Sequence, residues 1–127
     1  MLVISAVLAL IAAALHVYIF VLEAFWWTTP RGRAVFGTNA DQAAQTRDLA
    51  FNQGFYNLFL AVMSGVGAVL LLIGHITVGA TLVVAGCGSM VLAGLVLVGY
   101  DRTKARPAIV QLSTPLLALI ALAAHGL

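Results

Sequence analysis

Along the chain, long apolar runs alternate with short polar connections. A helix that crosses a hydrocarbon core needs roughly 20 apolar residues. Four runs meet or approach that length: about Leu2–Trp27, Phe51–Ile73, Ile76–Tyr100 and Ala108–Ala124. The last is near the short limit and contains Pro115, a residue type that kinks helices. Only Gly74 and His75 separate the second run from the third, so these two helices must be antiparallel neighbours. The pattern predicts an all-α fold, an integral membrane four-helix bundle with antiparallel up-down topology, filling residues 1–127 as one domain.

The one substantial connection is residues 28–50, TTPRGRAVFGTNADQAAQTRDLA. Thr28, Thr29, Pro30 and Gly32 read as a helix exit. Asn39 followed by Gln42 has capping-box spacing, and Asp41 suits the first turn of a new helix. Residues 40–50 therefore read as a polar helix that either lies on the membrane surface or extends the second span. The first run has no basic segment ahead of it and continues past the small residues Ala12–Ala14, so it reads as a retained helix, not a cleaved signal.

Composition agrees with a lipid-embedded chain. Hydrophobic residues make up 63% and charged residues 8%, against about 25% charged in soluble domains. The net charge is only +2, and its distribution carries more information. Arg31, Arg33 and Arg47 lie between the first two spans, and Arg102, Lys104 and Arg106 between the last two. The amino terminus, the Gly74-His75 turn and the carboxyl terminus carry no Lys or Arg. Short basic loops stay in the cytoplasm, which puts both termini outside, periplasmic or extracellular. Trp26 and Trp27 then form an aromatic belt at the inner interface. The basic loops can touch anionic headgroups, whereas so short and apolar a chain does not fit nucleic-acid binding. Cys87, the single cysteine, has no internal disulfide partner and reads as a small apolar filler.

Two ionisable groups interrupt the first span. His16 and Glu23 are seven residues apart, hence on one helix face and about 10 Å apart along the axis. Small and polar residues mark a face on each span: Ser5, Ala9, Ala12, His16 and Glu23; Gln53, Tyr56, Asn57, Leu60, Ser64 and Gly67; Gly79, Gly86, Ser89, Ala93 and Tyr100; Gln111, Thr114, Ala118 and His125. Small residues allow close helix approach where lipid supplies little hydrophobic drive, so these faces are expected to meet in the interior. With the up-down order, Glu23, Asn52, Gln53, Tyr56, Asn57, Tyr100 and Gln111 collect in the cytoplasmic half, with His16 one level deeper.

Several chemistries do not fit. A bis-histidine haem is disfavoured because His75 and His125 belong to the opposite end from His16. His16 and Glu23 are too far apart on one helix to share a zinc ion. No nucleophile elbow, phosphate loop, CxxC or HExxH pattern is present. The expectation is therefore no metal and no cofactor.

The segments HVYIFVLE and NQGFYN, with His16 and Glu23 in the first and Asn52-Gln53-Gly54 and Tyr56-Asn57 in the second, carry a resemblance. The chain resembles a family of small bacterial four-helix integral membrane proteins catalogued as a domain of unknown function. The resemblance implies a one-domain protein of the bacterial cytoplasmic membrane and assigns no activity.

Three readings remain for the polar cluster. In the first, it is a pocket that binds or transports a small amphipathic molecule, an ion or a proton, with Glu23 as the proton or cation site, His16 its deeper partner, and Asn52, Gln53, Tyr56 and Asn57 orienting the ligand. A through-path would then require a homodimer. In the second, Glu23 and His16 are acid and base of an enzyme acting on a lipid or isoprenoid. In the third, the polar residues are helix-to-helix glue in an assembly protein, or Glu23 turns outward to a loop arginine.

Overall fold

The computed structural model describes residues 1–126. Its elements are α1 (Leu2–Ala24), α2 (Pro30–Phe36), α3 (Ala40–Leu72), α4 (Ile76–Tyr100), a 3-10 turn (Arg102–Lys104) and α5 (Ala105–Ala124). Four of them, α1, α3, α4 and the 3-10 turn with α5, are long and apolar enough to span a membrane. This is the helical bundle that the hydropathy pattern predicts, in a multi-pass membrane protein.

The helices form a ring. Both α1 and α4 pack against α3 and α5, and α1 lies diagonally across from α4. One end of the bundle carries Met1, the Gly74-His75 turn and the end of α5; the other carries α2, the start of α3 and the 3-10 turn. The second is called the basic end here, because all six Lys and Arg residues belong to it.

Close approach at small residues helps hold the ring together, around a core that also buries Leu71, Val83, Met90 and Leu122. A Cβ on Gly67 would lie 2.8 Å from Val83 N and 2.9 Å from Gly79 O, and one on Gly86 only 2.2 Å from Ser64 Oγ. These contacts clamp α3 to α4 in the half near the turn. Gly54 meets α1 backbone at Ala24 N, 3.0 Å from an added Cβ, and Gly94 meets Leu112 of α5. The buried Ser5 hydroxyl ties α1 to α5, donating to the Ala118 carbonyl at 2.8 Å. The Cys87 thiol is 3.7 Å from Ser64 Oγ and fully buried, as a small core filler would be.

The boundaries differ from the hydropathy reading in three places. The α1 helix ends at Ala24 instead of Trp27. Residues 40–50 extend the second span into one continuous 33-residue helix, α3, opened by a full capping box between Asn39 and Gln42. At about 1.5 Å per residue such a helix is about 50 Å long, well beyond a ~30 Å hydrocarbon core. The third difference is α2, where the sequence reading has only an exit loop. Thr29 caps α2 by accepting from Gly32 N, Pro30 occupies its first turn, and Gly37 closes it at φ 66. Proline at the start and a left-handed glycine at the end are the ordinary bounds of a short helix.

Two of the expected faces are rotated. On α3 the buried positions are Ala43, Ala50, Gly54, Ala61, Ser64, Gly67, Ala68 and Leu71, with Tyr56 and Gln53 exposed. On α4 they are Gly79, Val83, Gly86, Cys87, Met90 and Gly94, with Ser89, Ala93 and Tyr100 exposed. Glycine decides both cases, since two backbones approach most closely where no Cβ intervenes.

Candidate functional site

The α3–α4 clamp does not extend to the basic end. There the ring encloses a cavity of ≈ 580 Å³. Its walls are Ile19, Glu23 and Trp27 from α1 and the residues after it, Phe36 from α2, and Gln53 and Asn57 from α3. Ala93, Val96, Leu97 and Tyr100 of α4, Lys104 of the 3-10 turn, and Pro107 and Gln111 of α5 complete it. Gln53, Val96 and Tyr100 are themselves exposed, so the cavity opens sideways between α3 and α4.

Glu23 is the chemical centre of this space. It is 8% exposed on the last turn of α1. The Asn57 side-chain amide of α3 donates to its Oε1. Asn57 also makes a long 3.4 Å contact to the Gln53 carbonyl one turn earlier. Gly54 lets α3 lie against Ala24, and this brings Asn57 within reach of Glu23. No other hydrogen-bond partner and no cation is bonded to the carboxyl among the described residues. The outward pairing with a loop arginine does not occur: Arg31 donates from Nε to Tyr18 Oη at 2.6 Å and lies 5.5 Å over that ring.

Lys104 supplies an opposite charge in the lining of the same cavity, and its ammonium donates to the Phe36 carbonyl at the end of α2. That contact ties α2 down over the cavity. Three more hold the cover in place. Trp27 Nε1 donates to Thr46 Oγ1 at 3.0 Å, and the Trp27 and Phe36 rings are 4.9 Å apart. Gly32 is pressed against the chain end of α1, where an added Cβ would lie 2.0 Å from Trp26 O. On the opposite wall, Pro115 has no N–H to donate, so the Gln111 carbonyl four residues earlier lacks its helical partner.

Of the eight residues singled out from the sequence, Glu23, Gln53, Asn57, Tyr100 and Gln111 line this cavity. The other three do not. His16 is 2% exposed and its Nδ1 is 2.9 Å from the Ala12 carbonyl of its own helix. A carbonyl only accepts, so Nδ1 carries the proton and the ring is held in place by its own helix. Asn52 and Tyr56 face away, Tyr56 at 56% exposure with its ring T-shaped to that of Phe59. The expected pairing of Glu23 with a deeper histidine is therefore replaced by Glu23 with Asn57 and, across the cavity, Lys104. Lys104, Phe36 and Trp27 were not among the sequence candidates. The proline-to-glycine bracket of Pro30–Gly37 is the signal that brings α2 and Phe36 into the site.

Fold and site together define a small polytopic membrane protein with a laterally open cavity at its basic end that holds a buried carboxyl. The match of residues 10–123 to the family described as Protein of unknown function (DUF1304) places the chain in that family. No curated protein and no solved structure is significantly similar to it.

Proposed function

We propose that this protein binds a small amphipathic molecule from the inner leaflet of a bacterial cytoplasmic membrane, holding its cationic or hydrogen-bond-donating head at Glu23 and its apolar body between α3 and α4. One observation carries the reading: a buried carboxyl with a single protein donor faces a mostly apolar cavity that opens between two spans. Small-molecule sites are typically concave spaces of about 300–1,000 Å³, largely apolar with a few convergent polar groups. A carboxyl in the membrane interior is costly enough that functional use is the usual reason to keep it. Asn57 orients the carboxyl, Gln53 and Gln111 offer further hydrogen bonds at the mouth and the far wall, and α2 covers the inner end. His16 takes no part, so binding is favoured over a relay of protons along α1.

The test uses the two tryptophans. Trp27 lines the cavity and Trp26 does not, so a Trp26→Phe chain reports on the cavity by its remaining fluorescence. Titration with dodecylamine, dodecanoic acid and dodecyl maltoside should quench Trp27 with a preference for the amine. Glu23→Gln should abolish the preference and retain the fold. Equal quenching by all three, unchanged in Glu23→Gln, would refute the proposal.

The orientation belongs to the same proposal and is tested separately. In a Cys87→Ala background, His75→Cys should label with an impermeant maleimide from outside intact cells, and Arg102→Cys only after lysis. The reverse pattern would invert the protein and put the cavity in the outer leaflet.

A further inference from the structure

A second cavity of ≈ 360 Å³ lies on the other side of the wall formed by Ile19, Phe36, Pro107 and Gln111. It runs between α1 and α5 beneath α2. Leu15 and Leu22 form its α1 side, Val35 its α2 side and Val110 its α5 side. Its polar groups are at the basic end. Arg106 lines it directly, and Tyr18 lines it while holding the Nε of Arg31 at 2.6 Å. Arg31 thereby keeps its terminal amino groups free of protein acceptors among the described residues. No Asp or Glu belongs to its walls.

We infer that this groove binds an anionic phospholipid, with a phosphodiester headgroup between Arg31 and Arg106 and an acyl chain along Leu15, Leu22 and Val110. Charge and shape agree on that occupant. Two guanidiniums with no carboxylate beside them favour a phosphate, for which their paired donors are suited. The apolar strip below them runs along the spans and would accept a chain, which free phosphate lacks. Basic pockets between spans on the cytoplasmic side are a recurring form of lipid-headgroup site. Glu23 is outside the groove, so Glu23→Gln removes no group from this site.

The experiment titrates the purified full chain, in a non-ionic detergent, with phosphatidylglycerol, phosphatidylcholine or inorganic phosphate, reading bound lipid by native mass spectrometry and stability by thermal unfolding. Phosphatidylglycerol should bind in preference to phosphatidylcholine and raise the unfolding temperature. A basic residue near the bilayer surface is worth about fivefold in binding, so Arg31→Gln with Arg106→Gln should weaken phosphatidylglycerol roughly 30-fold. The control pair Arg47→Gln with Arg102→Gln removes the same charge elsewhere at the same end and should leave binding close to that of the parent, because neither residue lines the groove. Val110→Trp keeps both arginines but fills the half-exposed groove, and it should also lose the lipid. It decides the matter if the arginine double variant does not fold. Equal losses in the two arginine pairs would mean diffuse attraction to a charged surface, and would overturn the inference. Phosphatidylglycerol retained by Val110→Trp, or inorganic phosphate reproducing the whole thermal shift, would overturn it as well, the latter in favour of a free-anion site.

Discussion

The pairing of Glu23 with Asn57 distinguishes a binding site from helix glue through a double-mutant cycle. In Asn57→Leu the carboxyl, 8% exposed and with Asn57 as its donor, is left without a protein partner. A stranded buried polar group costs about 1–3 kcal/mol, more if it is charged. Glu23→Leu removes the costly group and leaves an amide that still reaches the Gln53 carbonyl, so a change within about 1 kcal/mol of zero is expected. In the double variant two leucines meet across the α1–α3 contact with nothing stranded, and replacing a buried polar pair in this way is commonly neutral or stabilising. The predicted coupling is thus about 1–3 kcal/mol in the direction of rescue. Interhelical hydrogen bonds between ordinary polar side chains in a membrane average about 0.6 kcal/mol and reach about 1.7. The assay is reversible unfolding in mixed micelles, scored by α-helical signal. If Glu23→Leu alone costs as much as Asn57→Leu and the double variant is no more stable than either, the pair is glue. If the singles simply add, the two side chains do not interact. In both cases the costly-carboxyl argument and the site built on it fail.

Two further outcomes test the scaffold around the site. Gly86→Ala places a Cβ 2.2 Å from Ser64 Oγ and 3.0 Å from Ser64 N, so the α3–α4 clamp must open at a cost of about 1–3 kcal/mol; adding Ser64→Ala should recover part of that in the same unfolding assay, and no recovery would mean that the backbone contact dominates. Lys104→Met removes the donor to the Phe36 carbonyl, and hydrogen exchange across residues 30–38 should speed up while the spans stay protected; unchanged exchange would show that Trp27 and Gly32 alone hold α2 in place.

The parts of this architecture legible in the sequence are those that depend on solvent. Lipid demands long apolar runs, and the four spans follow from that demand with errors of a few residues at their ends. The capping box at Asn39–Gln42 was equally plain, because it is local chemistry. The rotation of each helix was less accessible. Polar residues suggested that Asn52 and Tyr56 face inward, yet Gly54 has no Cβ and allows closer approach to α1 than either neighbour, so α3 turns that side to Ala24. The same competition turns Gly94 inward on α4 and leaves Ala93 and Tyr100 at the cavity rim. The α2 helix is hidden for a different reason: Thr29 and Pro30 have the residue types of a helix exit, whereas the Thr29 side chain caps the next helix. In the sequence Lys104 is one of six basic residues near the span ends; its reach to Phe36 crosses 68 residues of sequence and has no local signature.

His16 and Glu23 share one face of α1 and end in opposite roles, and the reason is their surroundings. At the level of His16 the ring of helices is closed, and the imidazole is satisfied within its own helix at Ala12. At the level of Glu23, two turns further on, the α3–α4 clamp formed by Gly67, Gly79, Ser64 and Gly86 has ended. The spans part, and the carboxyl meets open space, with one donor on its own side and Lys104 on the far wall. A tightly packed turn end and a parted basic end are therefore two consequences of where the glycines lie. Closing the basic end with a second small-residue clamp would leave Glu23 where His16 is now, packed and without access. An enzyme that used the two as acid and base would need both in one cavity, and this arrangement of glycines separates them.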